Sequence, residues 1–386
     1  MRQTVLRPRK APASSASPAP AAPPRAPRIG DAGHAARLRR ALLGWYGRTA
    51  RDLPWRRTRD PYAIWLSETM LQQTRVETVI PYYERFLREL PTVTALAEAP
   101  EGRVLELWSG LGYYRRARML HAAARQVALG HGGVFPGEVT QLRELAGIGA
   151  YTAGAVASIA FGRRAPLVDG NVARVLARLF AIEDDVKSTR GVTRLWALAE
   201  ELVPEQGAGD WNQALMELGA TVCLPRKANC AACPAASLCE AKAMGVVDRL
   251  PLVATKRPPI PVERVAVVLA SDRAVLLARR RPHVLFGGLW EPPSADAGDG
   301  GLASLASRLG VDAGALEIAG EVLHVLSHRK LRVQVVRGAL GSRRKWPLPG
   351  PEYDAIEPVA LDVMATRAQA TLSRKVLAVA EVLPPV

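Results

Sequence analysis

Four cysteines and two carboxylates are the residues of this sequence whose types and spacing suggest chemistry. The cysteines, Cys223, Cys230, Cys233 and Cys239, crowd into one short segment and are separated by six, two and five residues. Cysteines that merely fill a core would be scattered along the chain. Two disulfides fit the count but not a reducing compartment, where thiols stay free. Four thiolates on one loop form a ligand site, for zinc or for an iron–sulfur cluster, and spacing alone does not separate the two.

The first carboxylate is Glu68. Asp60-Pro61 is a helix start, with Asp as cap and Pro in the first turn. The spacing predicts a helix over about Pro61 to Thr74, with Ile64, Trp65, Glu68 and Leu71 on one face. A Glu on an apolar stripe is desolvated, which raises its pKa; the pattern alone also admits a partly exposed Glu at the stripe's margin. The second carboxylate is Asp169, ahead of a stripe at Val172, Val175, Leu176 and Leu179. It is placed to cap that helix, so N–H donors and the helix dipole are expected to favour its charged form. A plain structural cap has the same pattern. One carboxyl pushed towards neutral beside another held ionised suits glycosidic-bond chemistry. Between them lies Gly147-Ile148-Gly149, a tight turn between helical segments whose N–H groups can hold a phosphate.

These residues need a scaffold, and the sequence supplies two kinds. A basic Pro/Ala/Ser tail occupies residues 1–30 and reads as disordered. From Asp31, where a stripe of Leu38, Leu42, Trp45 and Tyr46 begins, to residue 245 the chain reads as successive helices. Residues 246–262 read as a Pro-rich linker. From 263 to 386 the pattern turns to strands, at Arg264–Ala270, Ala274–Ala278, Val322–Leu326 and Leu331–Arg337, with a helix at Leu302–Leu309. The 386 residues suffice for two cores, and the net charge of +16, of which the tail holds only six, points to nucleic acid rather than to an acidic membrane. The longest uncharged stretch, around Ala146 to Gly162, falls short of the roughly 20 residues of a membrane span. No secretory signal is visible, so a cytoplasmic, nucleoid-associated location is expected.

The Gly-Ile-Gly turn, an Asp 20 residues after its second Gly and the cysteine spacing together resemble the helix-hairpin-helix DNA glycosylases that carry a 4Fe–4S cluster. More narrowly, the segments from Ser67 to Val76, Val168 to Val172 and Trp211 to Gly219 are similar to the MutY-type adenine DNA glycosylases, over about residues 35–350. The resemblance implies a mainly α helix-hairpin-helix glycosylase domain with an iron–sulfur cluster loop at 223–239, plus a C-terminal α+β Nudix-like domain. It implies one 4Fe–4S cluster held by Cys223, Cys230, Cys233 and Cys239. It implies removal of adenine mispaired with 8-oxoguanine or guanine in double-stranded DNA, by a monomer whose linker contacts repair or replication proteins.

The same resemblance assigns roles. Glu68 protonates N7 of adenine and later assists water, and Asp169 stabilises the sugar cation, with Tyr151 and Asn171 also in the catalytic set. Tyr151 stands where the endonuclease III branch has a Lys; a phenol forms no imine, so an efficient lyase step is not expected. Arg51, Trp55, Arg56, Leu71 and Glu217 are expected at the adenine pocket. Gln73 and Tyr113 are expected to wedge into the base stack, Thr74 and Leu111 to lie at the lesion, and Gly147, Gly149, Arg226 and Lys227 to meet phosphates. Gly287-Gly288-Leu289-Trp290-Glu291 resembles a Nudix-like domain, but the following helix has no run of carboxylates for metal, so pyrophosphate hydrolysis is not expected. His324 to His328 resembles the family's 8-oxoguanine-sensing loop, with Leu326 in place of the usual Phe and Ser327 and His328 as reading groups. Two other readings compete: a thymine- or oxidised-pyrimidine-removing enzyme of the same superfamily, and an iron–sulfur DNA-binding protein without catalysis.

Overall fold

The computed structural model describes residues 32–254, 258–298, 300–343 and 345–384, with Ala32 and Ala365 by backbone only. The expected tail at 1–30 and the helix start at Asp31 lie outside the described residues. Among the described residues twelve α-helices form the first part: α1 Ala32–Thr49, α2 Pro61–Leu71, α3 Val76–Glu89, α4 Val93–Glu98, α5 Glu101–Leu107, α6 Arg115–Gly130, α7 Val139–Glu144, α8 Ala150–Ile159, α9 Gly170–Leu179, α10 Thr189–Leu202, α11 Ala208–Thr221 and α12 Glu240–Ala243. The second part holds β1 Ile260–Ala270, β2 Ala274–Arg280, β3 Trp290–Glu291, β4 Ser294–Asp296, α13 Gly301–Leu309, β5 Glu317–Val325, β6 Arg329–Ala339, β7 Tyr353–Ala360 and α14 Thr371–Val379.

Helix α2 is the centre of the helical part. Asp60 caps it as expected, accepting from the N–H groups of Tyr62 and Ala63. It has no exposed face: every residue from Tyr62 to Met70 is buried. A sequence without a polar face cannot show a clean stripe, which is why the expected one-sided helix is in fact surrounded, by α3, α6 and α8. It also ends at Leu71, short of Thr74, because the chain turns through a left-handed Gln73 at φ 58°.

The expected Gly-Ile-Gly turn joins α7 to α8. Gly147 is left-handed at φ 74°, and a Cβ there lies 2.5 Å from Cβ of Met119 on α6. Gly149 is the N-cap of α8, and the space in front of it is open. One glycine is required by backbone and packing, and the other leaves a helix N-terminus uncovered.

In the second part, β1 runs parallel to β6 in register from Ile260↔Arg329 to Ala270↔Ala339, within the path β3-β2-β1-β6-β5. β4 adds to β1 and β7 to β2, both antiparallel. Helix α14 packs on one face of the sheet with Leu372, Val376 and Leu377, and α13 packs on the other with Leu305 and Leu309. Strand β7 and helix α14 were not evident in the sequence. Pro358 breaks the alternation of β7, and it is tolerated because β7 pairs on one side only.

The linker is shorter than its composition suggests. Leu250 is buried, the Val186 N–H donates to the Leu252 carbonyl, and the Ala254 N–H donates to Asp185. β1 already begins at Ile260. Proline marks missing donors, not departure from the surface; residues 255–257 lie outside the described residues. The two parts also touch directly, as Leu289, Ala368 and Ala370 join the helical core.

Gly147→Ala should lower unfolding stability by about 1–3 kcal/mol, combining left-handed strain with displacement of Met119. Gly149→Ala, with open space ahead of it, should cost much less. Equal urea midpoints for the two variants would show that the turn is not set by Gly147.

Candidate active site

Glu68 is 5% exposed in the third turn of α2, and the Tyr151 hydroxyl on α8 donates to its Oε2. Burial raises its pKa to about 7; the Tyr151 hydrogen bond opposes the rise and the nearby Asp169 charge adds to it. The partly exposed alternative is therefore excluded. Tyr151 is itself half-buried, and desolvation and the Glu68 charge lift its phenol well above the usual value. Its hydroxyl also lies 3.6 Å from Sδ of Met216 on α11.

Asp169 caps α9, accepting from the Val172 N–H at 2.7 Å and from Nδ2 of Asn171 at 3.0 Å. The expectation that capping would favour its charged form does not hold. Burial outweighs the donors and the Arg174 charge, and the pKa is raised. The cap is real, but Asp169 is half-buried rather than at a fully solvated helix end.

Arg51, Arg56 and Glu217 come together in one ion-paired cluster. Glu217 on α11 is 1% exposed and accepts from Nε and Nη2 of Arg51 and from Nη2 of Arg56, each at 2.8 Å. Burial alone would raise its pKa, but the two guanidinium groups bring it down to about 2. Trp55 is buried edge-on against Tyr83, and Leu71 is half-buried at the end of α2.

Gln73 and Tyr113 share an unusual backbone. Both are exposed and left-handed, at φ 58° and 49°. Thr74 is beside Gln73, half-buried. Leu111, expected at the lesion, is instead 5% exposed and packed in the helical core, because only one side of its loop faces outward; Tyr113 is the exposed member. Ser327 and His328 lie exposed in the turn between β5 and β6. Leu326 is half-buried against the core on the α14 face, so it anchors the turn rather than extending from it.

The four cysteines line one cavity with Val175, Leu179, Leu218 and Val222. They surround it rather than converge: among the described residues no group of three or more ligating side chains is gathered as for a single ion. Four thiol groups around one largely apolar cavity are a donor set that fits a thiolate-held group. As free thiols, Cys233 and Cys239 are pushed up by burial, Cys233 to about 11.

Two arginines missed in the sequence contact the cysteine segment, and one of them also reaches Asn171, the partner of Asp169. Arg174 donates to Oδ1 of Asn171 and to the carbonyls of Gly219 and Cys223. Arg178, 1% exposed, donates to Sγ of Cys223 and to the carbonyls of Leu224 and Leu250. Their spacing opposite the apolar stripe of α9 reads as a solvated face, and nothing in the sequence shows that α11 and the cysteine segment cover it.

Residues 66–201 match the family described as HhH-GPD superfamily base excision DNA repair protein, and residues 264–379 match the NUDIX domain family. The human adenine DNA glycosylase is 39% identical over 373 residues, spanning 80% of this chain and 68% of that protein. The chain belongs to the adenine DNA glycosylase family. A rat member is 38% identical over 386 residues, across 84% of this chain and 75% of its own length. Among solved structures, a thermostable thymine-DNA glycosylase is similar with a TM-score of 0.50 and 31% identity, covering 98% of that chain but 55% of this one. The human and rat relatives thus match far more of the chain than the thymine enzyme does.

The buried Glu68 gives a pH-dependent stability. The folded state holds its proton more tightly than the unfolded chain, whose value is 4.5. That contribution is complete below pH 4.5 and is lost as pH rises through about 7. Glu68→Gln should therefore be more stable than wild type by roughly 1–3 kcal/mol at alkaline pH, with the gap closing in acid. Urea unfolding across this range measures it; a constant difference would mean that Glu68 does not titrate as its burial requires.

Proposed function

We propose that the chain removes adenine mispaired with 8-oxoguanine, or with guanine, by hydrolysing its N-glycosidic bond, working as a monomer at the nucleoid. The observation that carries this reading is Glu68: a fully enclosed carboxyl, raised to about 7, held by Tyr151 and next to Asp169. Adenine leaves poorly until its ring is protonated, and an acid poised near neutrality is suited to donate that proton.

Extrusion brings adenine out of the duplex at a cost of a few kcal/mol. Glu68 protonates its N7, and the bond to the sugar then breaks with the electrons leaving on the base. Positive charge develops on the sugar, and the Asp169 carboxylate, oriented by Asn171 and the Val172 N–H, stabilises it. Glu68, now ionised, takes a proton from the attacking water. Tyr151 keeps the Glu68 carboxyl in one orientation and offers no amine for a Schiff base, so the reaction stops at the abasic site.

Arg51, Arg56 and Glu217 form a fixed polar wall for the base, Gln73 and Tyr113 are the wedge, and Thr74 and the Leu111 backbone lie beside it. The open N-terminus at Gly149, with Gly147 holding the turn, and Arg226 with Lys227 bind phosphates. Ser327 and His328 read the opposite purine, which differs from guanine by an N7–H and an O8. Cys223, Cys230, Cys233 and Cys239 hold a 4Fe–4S cluster, which when bound cross-links the loop. The sheet domain is a reader: α13 carries no carboxylate, and the one on Glu291 is taken by Arg280 and Tyr353, each at 2.7 Å.

Single-turnover excision from duplexes with adenine opposite 8-oxoguanine, guanine, cytosine or thymine tests the reading. The first two should react, with rates falling as pH rises through about 7, and Glu68→Gln should bind DNA yet lose about 10²–10⁴ in rate. Replacing Ser327 and His328 with Ala should cost the 8-oxoguanine pair about 1–3 kcal/mol per lost contact and the guanine pair much less. Activity confined to thymine or oxidised pyrimidines would instead favour the pyrimidine-removing alternative. Protein purified anaerobically should carry about four irons per chain; stoichiometric zinc with full activity would remove the cluster from this account.

A further inference from the structure

Both exposed left-handed turns, at Gln73 and at Tyr113, converge on one side chain that nothing above has used. Arg116, in the first turn of α6, sends Nη1 to the carbonyls of Thr69, Met70 and Gln72 at 2.8, 2.8 and 2.6 Å. Its Nη2 reaches Oγ1 of Thr74 at 3.1 Å and the carbonyls of Leu111 and Gly112 at 3.4 and 3.3 Å. The guanidinium also lies 5.2 Å from the Trp108 ring centre and 5.5 Å from that of Tyr113. Nη1 thus serves the Gln73 turn, and Nη2 bridges that turn to the Tyr113 turn.

Among the described residues no carboxylate pairs with Arg116. The acceptors of Nη1 are instead carbonyls at the end of α2, where unsatisfied backbone oxygens and the negative end of the helix dipole favour a cation. Burial lowers its pKa to about 10, which leaves it charged at neutral pH. A cation that only capped α2 would need Nη1 alone. The second nitrogen, and the ring contact with Tyr113, tie the other turn to the same point.

We propose that Arg116 is a positioning residue that locks the Gln73 and Tyr113 turns into one unit, so that both enter the base stack together when adenine is extruded. This rests on the wedge assignment made under the proposed function. The planar fork matters: its two nitrogens point to two separate sets of acceptors, and a lysine ammonium, with its donors at one point, cannot span them. Left-handed backbone at two non-glycine residues persists only where the surroundings hold it, and Arg116 is the group that contacts both turns.

The test uses the full chain with Arg116→Lys. One readout is single-turnover excision of adenine opposite 8-oxoguanine, where extrusion must unpair and unstack the base. The second is excision of the same adenine opposite an abasic-site analogue, where there is no partner to unpair. The third is fluorescence of 2-aminopurine beside the target adenine, read in a Glu68→Gln background so that only unstacking is seen. The expected result is a loss of about tenfold or more on the paired duplex, a loss within about threefold opposite the abasic analogue, and a matching drop in 2-aminopurine signal. Equal losses on both substrates, or none, would show that Arg116 merely caps α2 and would overturn the inference. Should Arg116→Lys fail to fold, Arg116→Gln, whose single amide group cannot serve both turns, replaces it, and the same ratio of losses decides. Wild type inactive on both duplexes would defeat the proposed function and this inference with it. Wild type active, with equal losses in the variants, would defeat this inference alone.

Discussion

The structure is organised around a carboxylic acid kept out of water. Glu68 sits on a helix with no exposed face, and among the described residues its hydrogen-bond partner is the neutral hydroxyl of Tyr151. Ionised, it would be costly there; protonated, it is a satisfied buried acid. Keeping it so requires helices on every side of α2, and the contacts of α2 with α3, α6 and α8 provide them. The loops at the end of α2 and the start of α6 are the edges of that enclosure, and it is there that the chain becomes exposed again.

Three buried glutamates show how the same side chain is set to different states. Glu217 meets two guanidinium groups and is held ionised, at about 2. Glu291 is fully enclosed too, yet the Arg280 charge lowers its pKa despite burial. Among the described residues Glu68 has no ion-pair partner, and the Arg56 charge acts on it only weakly beside the effect of burial, so its pKa rises. The difference lies in the partner rather than in the depth. A paired buried charge is a fixed structural element, and an unpaired one is a group ready to exchange a proton. The first two kinds build walls, and the third is where acid chemistry is available.

Much of this was legible in the sequence, for local reasons. The Asp60-Pro61 start, the Asp169 cap and the glycine turn act within a few residues of themselves, and each is found where its pattern placed it. The clustered cysteines likewise remain one site after folding. What the sequence hid depends on coverage. The full burial of α2, the raised rather than lowered Asp169, the internal position of Leu111 and the roles of Arg174 and Arg178 all follow from which distant segment lies on top. Periodicity reports that a face is apolar or polar; it does not report that α11 and the cysteine segment cover a row of arginines. Arg116 was hidden for the same reason, since all but one of its acceptors are backbone carbonyls, which carry no sequence signature.

The join between the two parts bears on the same loop. Tyr114 donates to the Gln369 carbonyl at 2.6 Å and accepts from the Gly110 N–H. Oγ of Ser109 donates to that carbonyl at 3.2 Å and accepts from the Gln369 N–H at 3.3 Å. Ser109 and Tyr114 flank the segment that presents Tyr113, so the loop is fastened to the sheet domain on both sides of its tip and to α2 through Arg116. Tyr82 adds a third hold, its hydroxyl donating to the Ser109 carbonyl and filling the space beside the left-handed Gly110. A domain tethered only by a proline-rich linker would move independently of the helices. Here, moving it means breaking buried hydrogen bonds at Ser109 and Tyr114 and exposing Leu289, Ala368 and Ala370. The position of the exposed tyrosine and the position of the β5–β6 turn are therefore set by one interface.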